Sequence, residues 1–189
     1  MKGIAVFASH GGSNLQAIID AVESGRLNAR VAVVISNNSA AFALERARRA
    51  GIPSYHMSER TVSGDLDEAV LRVLREHQAD IVFLAGYLKK IGSRVLEAYD
   101  GNIYNIHPSL LPKFGGKGMH GLHVHEAVLL SGDEETGVTI HRVTADYDDG
   151  DVVVQRFVPV LSGDTPESLA ARVLDAEHGL LVEVLSGLV

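Results

Sequence analysis

Two strings of residues carry donors and acceptors at spacings that could do chemistry. The first is Asn105-Ile106-His107-Pro108-Ser109-Leu110-Leu111-Pro112, at the carboxyl end of a short apolar run. Side chains alternate along a strand, so Asn105 and His107 share a face. An amide donor and an imidazole two residues apart can point at one oxygen, which is what holding the tetrahedral intermediate of an acyl transfer requires. Pro108 and Pro112 brace the exit from the strand. The plain alternative is a hydrogen-bonded structural pair. The second string is Ser9-His10-Gly11-Gly12-Ser13-Asn14, between an apolar run and a helical pattern. Glycines permit a tight turn from strand to helix. Free amides at the helix start, with the Ser13 hydroxyl, can then hold a phosphate against the positive end of the helix dipole. The string is neither G-x-G-x-x-G nor G-x-x-x-x-G-K-[ST], which removes most support for a dinucleotide or a nucleoside triphosphate. An ordinary glycine turn capped by Ser13 is the competing reading.

Other polar clusters are weaker signals. Asp146, Asp148, Asp149 and Asp151 form an acidic turn that lacks the spacing and terminal glutamate of a calcium loop. His120, His123 and His125 cannot all point to one side of a helix, and no cysteine stands nearby, so a zinc site is not expected. Taken alone, Glu177 would face solvent or pair with Arg172, and Lys89-Lys90 would be a solvated loop.

The elements that position these residues follow from hydrophobic patterning. Ile4 to Ala8, Arg30 to Ile35, Ser54 to Met57, Asp80 to Ala85 and Ile103 to Ile106 read as strands. Helical spacing separates the first four, through Leu15, Ile18, Ile19 and Val22, then Ala43, Leu44 and Ala47, then Leu66, Val70, Leu71 and Leu74. Continuous apolar strands alternating with helices define a mostly parallel sheet covered on both faces. A helical stretch from Leu122 to Leu130 precedes two further strands, Gly137 to Val143 and Val152 to Val160. A closing helix is expected over Pro166 to Leu185, with Thr165 as N-cap, and Ser58 to Gly64 is expected to be a loop. The expected fold is α/β: a three-layer, doubly wound, mostly parallel seven-stranded sheet with a Rossmann-like first half.

Size and charge narrow the function. The 189 residues, 46% hydrophobic, can bury one sizeable core, and a single domain is expected. A net charge of -7 gives no basic stripe and argues against nucleic acid as a partner. The absence of cysteine excludes disulfides and thiolate chemistry and suits the cytoplasm. The first apolar run is too short to span a membrane, and no membrane partner is expected.

Asn-Ile-His-Pro-Ser-Leu-Leu-Pro resembles the signature of the 10-formyltetrahydrofolate-dependent formyltransferases. The likeness continues through Gly12-Ser13-Asn14-Leu15-Gln16, Ile35-Ser36-Asn37-Asn38, Leu84-Ala85-Gly86-Tyr87, His123-Val124-His125-Glu126, Asp148-Asp149-Gly150 and Ala176-Glu177-His178, in order and over nearly the whole chain. The phosphate loop and the terminal Glu-His resemble the branch of that family acting in purine synthesis. The resemblance implies one formyltransferase domain over 1–189, with a nucleotide- and phosphate-binding half at 1–100 and a folate-binding, catalytic half at 101–189. It implies 10-formyltetrahydrofolate as co-substrate, no metal, and glycinamide ribonucleotide as acceptor, in a monomer or homodimer. Catalysis then falls to Asn105, His107 and Asp148, where the carboxylate is expected to raise the pKa of His107. Gly12, Ser13 and Asn14 hold the ribose phosphate and Glu177 the glycyl amine. Leu88, Lys89, Lys90, Ile91, Asn105, Val138, Ile140 and Thr144 contact folate.

The chain departs from the family pattern in three places. Phe114 to Gly121 is long and glycine-rich, which is expected to make a mobile loop; Thr61 to Asp65 lacks an expected basic residue; and Leu174 replaces a polar one. Two rival readings remain. A formyltetrahydrofolate hydrolase would carry a regulatory domain ahead of the first strand, and a non-catalytic nucleotide-binding α/β module would not need Asn105, His107 and Asp148 together.

Overall fold

A computed structural model describes residues 1–189. The apolar runs form seven strands: β1 (Lys2–Phe7), β2 (Ala29–Ser36), β3 (Ser54–His56), β4 (Ile81–Leu84), β5 (Ile103–His107), β6 (Glu135–Arg142) and β7 (Val152–Pro159). Six helices connect and close them: α1 (Ser13–Glu23), α2 (Phe42–Arg49), α3 (Leu66–Glu76), α4 (Ser93–Ala98), α5 (Leu122–Ser131) and α6 (Pro166–Leu188). The strands lie in one sheet in the order β3-β2-β1-β4-β5-β6-β7. The first five are mutually parallel, while β6 runs antiparallel to β5 and β7 antiparallel to β6.

The expected three-layer architecture is therefore present. One face of the sheet packs Ile4, Val6, Phe83 and Ile140 against α1, α2 and α6, and the other packs Ala5, Phe7, Val33 and Val82 against α3 and α4. Helix α4 departs from the sequence reading, which has no helix between β4 and β5. It is six residues long and buries only Val95, too little to register as a period. No helix is long and apolar enough to cross a membrane.

The strand order reverses at β1, whose neighbours are β2 and β4. At such a switch point the loops leaving two adjacent strands diverge to opposite faces and open a crevice at the carboxyl ends. Here the loop after β1 and the loop after β4 remain tied together. Ser9 N–H donates to the Gly86 carbonyl at 3.1 Å, and Leu88 N–H donates to Ser9 Oγ at 2.9 Å. Gly12 takes φ 69° and begins α1 without any side-chain cap, so Ser13 does not play the capping role. A Cβ on Gly12 would come within 2.8 Å of the Ala43 Cβ, so α2 can press against this turn only because the residue is glycine.

Candidate active site

A cavity of about 830 Å³ opens at this switch point, a size ordinary for small-molecule sites. One end is lined by Gly12, Ser13 and Asn14 with Leu174 and Glu177 of α6; the other by Leu88, Lys89, Lys90 and Ile91 after β4 and by the loop from Val143 to Asp148. Asn105 and His107 line the same cavity. Most of the expected site residues thus meet in one cavity, including Thr144.

Val138 and Ile140 do not line it. Both are fully buried in the core packed against α6, because alternation along β6 turns Thr139 and His141 to the other side. Their side chains face that core and are not among those lining the cavity, unlike the placement the sequence reading expects.

Three side chains converge at the centre. Asp148 Oδ1 lies 3.3 Å from Asn105 Nδ2, and Asp148 Oδ2 lies 3.7 Å from His107 Nδ1. The Asp148 backbone adopts φ 54°, uncommon outside glycine, which turns its carboxylate inward. Its side chain is 12% exposed, whereas that of Asp146 is 78% exposed, so one member of the acidic cluster is committed to the cavity. Burial pushes the Asp148 pKa up, but the polar groups around it, among them the Gly116 N–H, which donates at 2.8 Å, outweigh it and leave the pKa below the usual value. The carboxylate is charged at neutral pH.

His107 differs from expectation. Its Nε2 is 2.8 Å from the Phe114 carbonyl. A carbonyl only accepts, so Nε2 carries the proton, and in the neutral ring Nδ1 presents a lone pair toward Asp148. Burial lowers the His107 pKa and outweighs the opposing pull of Asp148, so the resting ring is neutral rather than imidazolium. Because Nδ1 is the free nitrogen, His107 is placed to accept a proton first and to donate only afterwards.

His141, which motif reasoning missed, sets the amide. Its Nδ1 lies 2.8 Å from the Arg142 carbonyl, so that nitrogen is the donor and Nε2 accepts from Asn105 Nδ2 at 3.0 Å. Both neighbours of the Asn105 terminus, His141 Nε2 and Asp148 Oδ1, are then acceptors, which fixes the NH2 group on that side. One N–H is engaged by His141. The other has only the longer contact to Asp148 and is the donor an incoming oxygen can compete for. The missed signal was register: β5 and β6 pair Asn105 directly with His141.

At the far end, Asn14 Nδ2 donates to Glu177 Oε2 at 2.7 Å in a buried pair. Burial dominates and raises the Glu177 pKa to about 7, against an ordinary 4.5. Between those values the folded chain keeps a proton that the unfolded chain has released, so Glu177 makes stability fall as pH rises through that window. Glu177→Gln should therefore be more stable than the parent at about pH 8, by about 3 kcal/mol. The difference should vanish near about pH 4, as chemical denaturation at the two pH values would show. A variant no more stable than the parent at the higher pH would place the charge in water.

No group of three or more His, Cys, Asp or Glu side chains is arranged to hold a metal ion. His120 and His123 sit ring against ring, with centroids 5.7 Å apart, outside the catalytic cluster. Lys90 reaches across the cavity mouth to Asp146 Oδ1 at 3.4 Å and lies over the Tyr147 ring.

The turn that begins α1 and the Asn-His-Asp cluster thus line one cavity of a doubly wound fold. The formyl transferase family model matches residues 2–185, and the chain belongs to that family. It is 46% identical over 189 residues to the chloroplastic phosphoribosylglycinamide formyltransferase of Vigna unguiculata. That match covers 99% of this chain, which spans 61% of the plant protein's length. It is 40% identical to the phosphoribosylglycinamide formyltransferase of Escherichia coli K12, covering 97% of this chain and 85% of that one. The crystal structure of glycinamide ribonucleotide transformylase 1 from Symbiobacterium toebii superposes with a TM-score of 0.90 at 42% identity, over 98% of this chain and 86% of that one.

Proposed function

We propose that the chain transfers the formyl group of 10-formyltetrahydrofolate to the amine of glycinamide ribonucleotide, a step of purine synthesis. The observation that carries this reading is the meeting of Asn105, His107 and Asp148 in one cavity with the glycine turn before α1 and the partly apolar Leu88 to Ile91 segment. Gly12, Ser13 and Asn14 hold the phosphate at the start of α1, where free amides and the helix dipole favour an anion. Glu177, paired to Asn14, engages the acceptor's amine. Folate occupies the end formed by Leu88 to Ile91 and Thr144, with Lys89 and Lys90 near the mouth.

In the reaction the neutral amine attacks the formyl carbon. The oxyanion that forms takes the free N–H of Asn105, a preorganised donor that needs no rearrangement of water. The amine proton passes to Nδ1 of His107, and the imidazolium is held by the charged Asp148. That proton then moves to N10 of the folate as the carbon–N10 bond breaks, leaving tetrahydrofolate and the formylated ribonucleotide. No metal and no covalent enzyme intermediate enter the scheme.

The whole chain acts as one domain, as a monomer or homodimer, in the cytoplasm, the compartment a cysteine-free chain suits. Its net charge of -7 opposes binding to a phosphate backbone, and nucleic acid is not a proposed partner. The test is an assay with both substrates and with each omitted. Tetrahydrofolate should form only when both are present. Release of tetrahydrofolate without the ribonucleotide would instead make the chain a hydrolase.

A further inference from the structure

His125 is a buried histidine at the reaction cavity that neither the catalytic centre nor the phosphate turn uses. It lies on α5, is 4% exposed, and lines the cavity. Its Nδ1 is sealed from solvent without any hydrogen-bond partner. Nε2 also has no protein partner, yet it is not among the sealed atoms, so it opens on the cavity. Buried polar groups are nearly always hydrogen-bonded, and one left unpaired beside a substrate cavity points to a ligand.

The chemistry of that ligand follows from the ring's protonation. Burial, and the neighbouring His107, both oppose a charge on His125. A neutral ring carries one proton. An orphaned N–H in a sealed position is rarer than an orphaned acceptor, so the proton belongs on Nε2, where a ligand oxygen can receive it. Its position selects the substrate. α5 packs along α6, the helix that brings Leu174 and Glu177 to the acceptor end, while folate's end is built from the loops after β4 and β6.

We infer that His125 is an uncharged donor whose Nε2–H holds a carbonyl or hydroxyl oxygen in the ribosylglycinamide part of the acceptor. This rests on the proposed reaction and adds a binding residue to it. The phosphate is already provided for at the start of α1, and a neutral imidazole suits a neutral oxygen.

The experiment compares His125→Leu, which removes the donor, with His125→Gln, whose amide N–H can reach the place of Nε2. The leucine variant should raise KM for glycinamide ribonucleotide about 10-fold, with kcat and the KM for 10-formyltetrahydrofolate within about 2-fold of the parent. Glutamine should restore most of the loss. A merely structural role would move both KM values or leave glutamine as impaired as leucine, and either result overturns the inference, as does an unchanged ribonucleotide KM. A second measurement does not depend on how the leucine variant folds. In the parent with nitrogen-labelled histidine, the ribonucleotide alone should shift one ring resonance, the one missing from His125→Gln, and folate alone should not. Absence of that shift also overturns it. A parent that transfers no formyl group would instead defeat the proposed function itself.

Discussion

Asn105→Ala is expected to lower turnover about 100 to 1000-fold, the usual consequence of losing one oxyanion donor. The effect should fall on kcat, with the KM values for both substrates within a few-fold, because the oxyanion exists only after attack and the donor acts where charge develops. The amide is held for this task on one side alone. His141 Nε2 accepts one of its protons at 3.0 Å, and the contact of the other to Asp148, at 3.3 Å, is long enough to yield to an incoming oxygen. Single-turnover measurement with both substrates saturating separates the chemical step from product release. Turnover within a few-fold of the parent would remove Asn105 from the role of oxyanion donor.

Asp148→Asn carries the second large effect, a loss of about 100 to 10000-fold, in line with removing a group that supports general acid–base transfer. Charge is the reason. The folded environment keeps Asp148 ionised despite its burial, and that charge is what stabilises His107 once Nδ1 has taken a proton. The pH profile gives a sharper check than the rate. Burial holds the His107 pKa below the ordinary histidine value of 6.5, with Asp148 pulling it upward. Since the neutral ring is the reactive form, kcat should be level across neutral pH and fall on the acid side as His107 takes a proton. Removing the carboxylate removes the upward pull, so the acid limb of the remaining activity should move to lower pH. A limb that stays put, or moves to higher pH, would mean that a group other than His107 controls it.

The sequence was most informative where chemistry and local periodicity coincide. Asn105 and His107 are two apart on a strand, and alternation alone puts them together. β1, β2 and β5 are apolar runs bounded by turns, and the long α6, with its Thr165 cap, stands out by its spacing. The site residues that were hard to find depend on pairings between distant segments. His141 joins Asn105 because β6 runs antiparallel to β5 in one register, and a shift of one residue would have presented Val138 and Ile140 instead. That register, invisible in the string, is why those two residues go to the core. Asp148 was singled out by resemblance rather than by spacing, and its positive φ and inward turn have no local signature among four aspartates. His125 sits in a string with His120 and His123 and differs from them only in burial, which the fold decides.

The glycine-rich segment after Pro112 takes on a more specific place than that of a loose cover. Its Phe114 carbonyl fixes the protonated nitrogen of His107, and its Gly116 N–H fixes one oxygen of Asp148. A Cβ at Gly115 would come within 2.5 Å of the Leu111 Cδ2, so at that position the segment folds back closely on the turn that follows β5.

The most direct test of the account follows the formyl carbon itself. With 10-formyltetrahydrofolate labelled at that carbon and glycinamide ribonucleotide present, the label should appear on the ribonucleotide's amine, one for each tetrahydrofolate released, and Asn105→Ala should slow its arrival by the factor given above. Label recovered as free formate, at a rate indifferent to the ribonucleotide, would contradict it.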